Sequence, residues 1–176
     1  EAVDALQLDI IAEPSLFPII GGRLNRNHEA SLDGALASAK FGAIRYAWGG
    51  ESIEVFRLEL PKRLIGEDLT LRVEDDQQLI LLHKKNILLQ GSVGEDLQAN
   101  DISLSVRSLS ARAGTEFKLK RDNRFRTIIH LQQEIGASEK GRDSGIIDLS
   151  YNHKNPDLAK AVLNQVAEIY VKQNVE

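Results

Sequence analysis

The fold is decided by one alternating stretch, Ile53-Glu54-Val55-Phe56-Arg57-Leu58-Glu59-Leu60. Strict alternation predicts a β-strand, because successive side chains of a strand point to opposite faces of the sheet. One face would carry Ile53, Val55 and Arg57, and the other Glu54, Phe56, Leu58 and Leu60. The second set is the more apolar, so we expect it to face the core.

Shorter strand patterns follow this stretch and are separated by turn signals. They lie at residues 69–73, 79–83, 87–90, 102–106 and 117–119. Several short strands at this spacing favour a β-sandwich or a small barrel. We therefore predict an all-β domain at residues 42–120.

Helical periodicity takes over beyond residue 120. Apolar residues at helical spacing predict a helix up to about Glu134, and a strand pattern follows at residues 145–151. Asn155 is expected to cap a last helix, since its side chain can accept from backbone N–H groups of the first turn. The apolar stripe of that helix is Leu158, Val162, Val166, Ile169 and Tyr170.

The beginning of the chain reads as a helix end, then a strand at residues 8–13, then a loop at 21–41 with a short helical piece near 31–40. The predicted fold class is thus α+β, with residues 1–41 and 121–176 forming one α/β unit into which the β-domain is inserted. The strands near 8–13 and 145–151 would share a sheet. An inserted domain of this kind requires ends that lie close together.

The composition limits the classes of function. The chain has 176 residues, no Cys, no Met and a net charge of −4. Without Cys there are no disulfides or thiolate ligands, and the charge provides no basic surface for nucleic acid. No apolar run reaches the roughly 18 residues of a membrane span. Because Met is absent and the last helical pattern runs to Glu176, we expect a fragment truncated at both ends.

The sequence predicts no catalytic, cofactor-binding or metal-binding residues. Gly136–Gly141 has the glycine spacing of a phosphate-binding loop, but Arg142-Asp143 stand where that motif needs Lys and then Ser or Thr. We interpret this stretch as a polar connecting turn. No two His lie at the helical spacing of a zinc site.

Two places could contact a polymer or a neighbouring subunit. The first is a basic cluster around Asp122, made of Lys118, Lys120, Arg121, Arg124 and Arg126. The second is Trp48, since an exposed Trp can stack on a sugar ring or fill an interface. The alternatives are a solvated helix start for the cluster and a buried core position for Trp48.

Five stretches follow one another along the chain in a distinctive order: residues 17–21 (Phe-Pro-Ile-Ile-Gly), 46–51 (Tyr-Ala-Trp-Gly-Gly-Glu), 131–134 (Leu-Gln-Gln-Glu), 138–145 (Ser-Glu-Lys-Gly-Arg-Asp-Ser-Gly), and 162–164 with 170–176. Together they resemble the periplasmic region of Wzc-type polysaccharide copolymerases, which are fused to bacterial tyrosine autokinases. The resemblance covers nearly the whole chain.

The resemblance implies a location on the periplasmic face of a bacterial inner membrane, with membrane helices on either side of this region. It implies a jelly-roll-like inserted β-domain and a ring-like homo-oligomer. It also implies a role in polymerisation, chain-length control and export of capsular or extracellular polysaccharide. The implied partners are a polysaccharide polymerase, an outer-membrane export channel and the polysaccharide itself. ATP and Mg would serve only a kinase domain whose motifs are not in this sequence.

These observations bear on three candidate functions. The first is a non-catalytic scaffold, and the second is a carbohydrate-binding module that uses the β-domain and Trp48. The third is a glycan-cleaving enzyme, but its acidic residues fall in hairpin turns rather than facing each other across a cleft. The sequence favours the scaffold.

Overall fold

The structure is a computed structural model that describes residues 1–18, 22, 36–40, 42–75, 78–141 and 145–175. Its helices are α1 (Ala2–Ala5), α2 (Arg124–Glu134) and α3 (Pro156–Val175), with a short 3-10 helix at Lys62–Leu64. The strands are β1 (Ile10–Pro14), β2 (Ser52–Glu59), β3 (Leu69–Val73), β4 (Gln78–His83), β5 (Asn86–Ser92), β6 (Asp96–Ala99), β7 (Ile102–Ser110), β8 (Glu116–Arg121), β9 (Gly136–Glu139) and β10 (Ile147–Ser150). These elements confirm the α+β class.

The chain divides into two compact units. The β-unit is Ile10–Asp122, and the terminal unit combines Glu1–Asp9 with Asn123–Glu176. The loop predicted at residues 21–41, with its short helical piece, lies mostly outside the described residues, as does Arg142-Asp143. Within the described ranges, no helix is both long and apolar enough to cross a bilayer.

The β-unit is built from two antiparallel sheets. One has the strand order β1-β8-β3-β4-β5 and the other the order β2-β7-β6. Both sheets contribute to one core, in which Leu58 and Leu104 of the smaller sheet are buried together with Leu71 and Phe117 of the larger one. Two sheets around a shared core agree with the predicted β-sandwich, while the jelly-roll order stays a prediction.

The predicted pairing of the strands near 8–13 and 145–151 is wrong. β1 pairs with β8, where Ile10 stands opposite Arg121, and β10 pairs with β9. Without β1, the edge of β8 would present unpaired backbone groups, and Ile10 and Ala12 also pack against the core of the β-unit. The strand predicted in the first segment, 1–41, therefore belongs to the β-unit, which starts before residue 42 and ends at Asp122.

The predicted faces of β2 are also wrong. Ile53 and Val55 pack against the core, and so do Leu58 and Leu60, whereas the Phe56 side chain is 44% exposed. A regular strand cannot place both Val55 and Leu58 on one face, because its side chains alternate with a period of two.

Two β-bulges explain the change of face. The register pairs Glu54 with Ser108, Val55 with Val106, and Arg57 with Ser105. It therefore skips Arg107 in β7 and Phe56 in β2. Each extra residue shifts the alternation of its strand by one position, so Phe56 and Arg57 follow each other on the outer face.

The terminal unit is organised by its capped helices. Asn155 caps α3 as predicted, because its Oδ1 accepts from the N–H groups of Asp157 at 2.9 Å and Leu158 at 3.1 Å. Asn123 caps α2 in the same way.

The core of the terminal unit contains Val162, which is buried with Val3 and Leu131, and Leu158 and Val166 pack against it. Tyr170, at the far end of the predicted stripe, is exposed.

Candidate functional site

The predicted basic cluster is spread over both units and is largely matched by local acceptors. In the β-unit, Lys120 Nζ lies 2.9 Å from the Oδ1 of Asp122, and Arg121 donates to the carbonyl of Leu58 at 2.6 Å. Lys118 is exposed on β8 and stands opposite Glu13 of β1. These neighbours reduce the positive field that the sequence alone suggests.

The other two predicted residues belong to the terminal unit. The guanidinium of Arg124 binds the Asp4 carboxylate, with Nη2 lying 2.6 Å from Oδ2. This hydrogen bond is the main reason that the pKa of Asp4 lies below its ordinary value and that of Arg124 above. Arg126 is exposed on the first turn of α2. A polymer or subunit contact through these residues stays a prediction.

Trp48 occupies a buried position and not an exposed one. Its side chain is only 1% exposed, and its indole N–H donates to the carbonyl of Ala43 at 3.1 Å. The ring stacks on Phe17 with 5.2 Å between centroids. Stacking on a sugar needs an accessible ring face, so this geometry fits the core alternative for Trp48 and not the carbohydrate platform.

Glu51 holds the loop around Trp48. Its buried carboxylate accepts from the N–H of Gly49 at 2.7 Å and of Trp48 at 3.1 Å, and it forms an ion pair with Arg112. Gly49 has a φ of 142°, which a side chain would disfavour, and this lets adjacent N–H groups converge on one carboxylate. The bonded carboxylate has a structural role that the sequence patterns did not reveal.

The outer face of the smaller sheet carries an exposed aromatic group, which we call the Phe56 surface (Glu54, Phe56, Arg107 and Ser108). The Arg107 guanidinium carbon lies 4.9 Å from the centroid of the Phe56 ring, close enough for a cation–π contact. Arg107 Nη1 lies 2.8 Å from Glu54 Oε1, and the Ser108 hydroxyl donates to Glu54 Oε2 at 3.3 Å. The four residues thus form one connected group.

Polar side chains continue along the same face. Arg57 Nη1 lies 3.8 Å from Asp96 Oδ2, and this pair spans Ser105 on the middle strand. The next row across the sheet is Glu59, Ser103 and Gln98. The face therefore offers hydrogen-bond donors and acceptors around a single aromatic ring.

Sequence reasoning missed Phe56 because simple alternation placed it in the core. A signal was nevertheless present, since apolar residues occur in both phases of the strand, with Ile53 and Val55 in one and Phe56 and Leu58 in the other. Such a change of phase is typical of a bulge, which lets both sets keep their place in one fold.

The structure also bears on metal binding and on cavities. Among the described residues, no group of three or more His, Asp or Glu side chains is arranged to hold a metal ion. The terminal unit has an open cavity of about 470 Å³, lined mainly by apolar residues such as Ile128, Leu131, Val166 and Ile169.

Comparison with known proteins connects the β-unit to one family. The family model "Tyrosine-protein kinase Wzc, N-terminal domain" matches residues 10–122, the same range as the β-unit. The whole chain is 38% identical to the putative tyrosine-protein kinase EpsB of Ralstonia solanacearum, covering 24% of that protein.

Relatives with lower sequence identity are also named as tyrosine-protein kinases. The chain is 27% identical to the tyrosine-protein kinase etk of Escherichia coli (strain K12) and 25% identical to the tyrosine-protein kinase wzc of Salmonella typhi. Each match covers 99% of this chain and 22% of the relative. The chain thus spans about a quarter of the length of the curated relatives it matches.

Proposed function

The chain belongs to the Wzc tyrosine-protein kinase family, whose N-terminal domain it contains, and we propose that it is a non-catalytic periplasmic domain of an inner-membrane polysaccharide copolymerase. Its role would be in polymerisation, chain-length control and export of capsular or extracellular polysaccharide. The observation that carries this proposal is the match of residues 10–122 to the N-terminal domain model of proteins named as kinases.

In this proposal, phosphate transfer belongs to another part of the parent protein. That part would bind ATP and Mg, while this chain needs no cofactor. The parent protein would form a ring-like homo-oligomer and act with a polysaccharide polymerase and an outer-membrane export channel. We further propose that the two sheets around one core correspond to the jelly-roll-like domain of the family.

The proposal is tested by removing the β-unit from the parent protein. Ile10 and Arg121 are paired across β1 and β8, so a short Gly-Ser linker can replace residues 10–122. We expect shorter or less polysaccharide on gels of the secreted polymer, with the variant present in the membrane at normal level. Polymer of unchanged length and amount would contradict the proposed role.

The non-catalytic part of the proposal has its own test. The purified chain is incubated with radiolabelled ATP and Mg, with the full parent protein as the positive control. We expect phosphotyrosine only in the parent protein. Phosphate transfer by the chain that is lost in Lys140→Ala would show that this region takes part in catalysis.

A further inference from the structure

We propose that the Phe56 surface binds an uncharged sugar residue of a polysaccharide, with the Phe56 ring as the platform. This inference rests on the proposed function, since it names the chemical class of the ligand and the place where it binds. It assigns carbohydrate contact to the outer face of the β2-β7-β6 sheet.

The bulges in β2 and β7 support this assignment. Phe56 and Arg107 are the two residues that the β2–β7 register skips, so a bulge in each strand presents them side by side. Bulges are over-represented beside functional sites, where they redirect a side chain. Regular alternation would have placed Phe56 on the same face as Leu58, which is buried. The fold therefore keeps an aromatic ring at the surface in a position where the simpler strand would hide it.

The side chains of the Phe56 surface match the groups that a sugar ring presents. A sugar ring has one face of C–H groups and a rim of hydroxyls that both donate and accept. Phe56 offers a flat apolar group for the face. The Arg107 guanidinium carbon lies 4.9 Å from the centroid of the Phe56 ring, and Phe56 is still 44% exposed, so the sugar would stack on the face that Arg107 does not cover. Arg107 also brings a fork of five N–H donors, one of which is used on Glu54. Glu54 and Ser108 add acceptor oxygens beside the same ring. Paired donors and acceptors next to an aromatic group match adjacent hydroxyls of a sugar.

The balance of charge selects the type of sugar. Arg107 lies against Glu54, and Arg57 lies 3.8 Å from Asp96, so the nearby cations face carboxylates. Glu59 adds a further exposed carboxylate to this face. A uronate would bring its negative charge close to Glu54, which is unfavourable, whereas a neutral hexose has no such cost.

The rows of the sheet suggest how a polymer would continue. Beyond Phe56, the outer face carries the Arg57–Asp96 pair and then the row of Glu59, Ser103 and Gln98. These groups can hydrogen-bond the hydroxyls of neighbouring sugar units without an additional aromatic ring. We therefore expect binding to strengthen with oligosaccharide length.

The test uses the 176-residue chain and oligosaccharides prepared from the extracellular polysaccharide of the host strain. Anion exchange separates them into a neutral and a uronate-containing fraction. Amide chemical shifts are followed by NMR during titration with each fraction. We expect the neutral fraction to shift resonances of β2 and β7 and the uronate fraction to act more weakly. Shifts that map elsewhere, or none, would overturn the assignment.

Three variants and one control examine the roles of the side chains. Phe56→Ala should weaken binding of the neutral fraction by about tenfold, as expected for loss of an aromatic contact, whereas Phe56→Trp should keep it. Ile87→Ala is the matched control, because Ile87 is an exposed apolar residue on the other sheet. Glu54→Gln removes the repelling charge and should improve binding of the uronate fraction. Equal affinity of Phe56→Ala, Ile87→Ala and the unchanged chain would refute the platform.

The outcomes separate this inference from the proposed function. If removal of the β-unit alters the polysaccharide but the chain binds neither fraction, the inference fails and the proposed function stands. If the chain binds through Phe56 but removal of the β-unit leaves the polysaccharide unchanged, the proposed role fails and the binding site stands.

Discussion

Glu51 shows how much of the β-unit can depend on one residue. Its side chain is 0% exposed, and its partners are two backbone N–H groups and the Arg112 guanidinium. In the described structure, Nε and Nη1 of Arg112 are buried and have no acceptor, so Glu51 is the main compensation for that charge. We predict that Glu51→Gln lowers the free energy of unfolding by about 3 kcal/mol, the usual result of removing one member of a buried ion pair.

Chemical denaturation followed by the fluorescence of Trp48, the single Trp of the chain, measures this loss. Glu59→Gln is the control, since Glu59 is an exposed carboxylate of the neighbouring strand β2, and it should change stability by about 0.5 kcal/mol or less. Equal effects of the two substitutions would mean that the Glu51 network contributes little.

Asp4 should make the terminal unit sensitive to acid. Its hydrogen bond with Arg124 holds the pKa of Asp4 well below the ordinary value of 3.8. Because the folded-state pKa is lowered, the stabilisation is present above the unfolded pKa and is lost as the pH falls toward the folded pKa. We expect thermal stability of the helices to decline below about pH 4, and less steeply in Asp4→Asn.

Circular dichroism melts at a series of pH values test this dependence. The pair is exposed, so the effect should be modest and should weaken in high salt. Glu168→Gln removes an exposed carboxylate of α3 and serves as the control. We expect it to keep the acid dependence of the unchanged chain. An identical pH profile in Asp4→Asn would show that the ion pair does not stabilise the unit.

At the scale of elements, the sequence predicted strands where alternation is unbroken. β3 and the early part of β7 lie where their patterns predict them, because each has one buried face. The pattern failed for β9, which was interpreted as a polar turn, since all four of its residues are exposed and no apolar alternation marks it. It also misplaced Phe56, because a period of two cannot reveal an inserted residue before the pairing is known.

For the candidate site too, the sequence predicted local features and missed those that depend on strand pairing or burial. The single Trp was one candidate platform for a sugar, with a buried core position as the alternative. Composition cannot tell whether a ring is buried, and Phe17 stacks on Trp48. The Phe56 surface depends on pairing between residues about fifty positions apart, such as Glu54 with Ser108. Local patterns do not contain that information, whereas the cap at Asn155 is local and was predicted correctly.

Gly91 marks a close approach between β5 and β6. A Cβ added at Gly91 would lie 2.1 Å from Cδ2 of Leu97, closer than atoms can approach. We predict that Gly91→Ala lowers the free energy of unfolding by about 1–3 kcal/mol, because Leu97 packs against the core and must move. Gln90→Ala, at the exposed neighbouring position, is the control for denaturation measurements. A loss no greater than that of the control would indicate that Leu97 moves aside freely.

At the scale of the whole molecule, two independent observations agree on the range of the β-unit. The compact unit is Ile10–Asp122, and the family model matches residues 10–122. The sequence placed the domain at 42–120 because residues 8–13 read as a strand without indicating its partner. That partner is β8, more than one hundred residues further along the chain. The pairing brings the two ends of the β-unit together, as an inserted domain requires.

This range leads to a prediction about fragments. Residues 10–122 contain both sheets and the whole of their shared core, so we expect this fragment to be monomeric and to unfold cooperatively. Residues 42–120 lack β1, which exposes the edge of β8, and they lack Phe17, which stacks on Trp48. We expect that shorter fragment to melt at a lower temperature or to aggregate, because open strand edges pair with other chains.

Thermal melts and size-exclusion chromatography of the two fragments distinguish the boundaries. If both fragments are equally stable and monomeric, β1 contributes nothing and the division at residue 42 describes the domain better. If neither folds, the β-unit depends on the rest of the chain in spite of its own core. A stable 10–122 fragment with an unstable 42–120 fragment would show that β1, distant in sequence, is the strand that completes the domain.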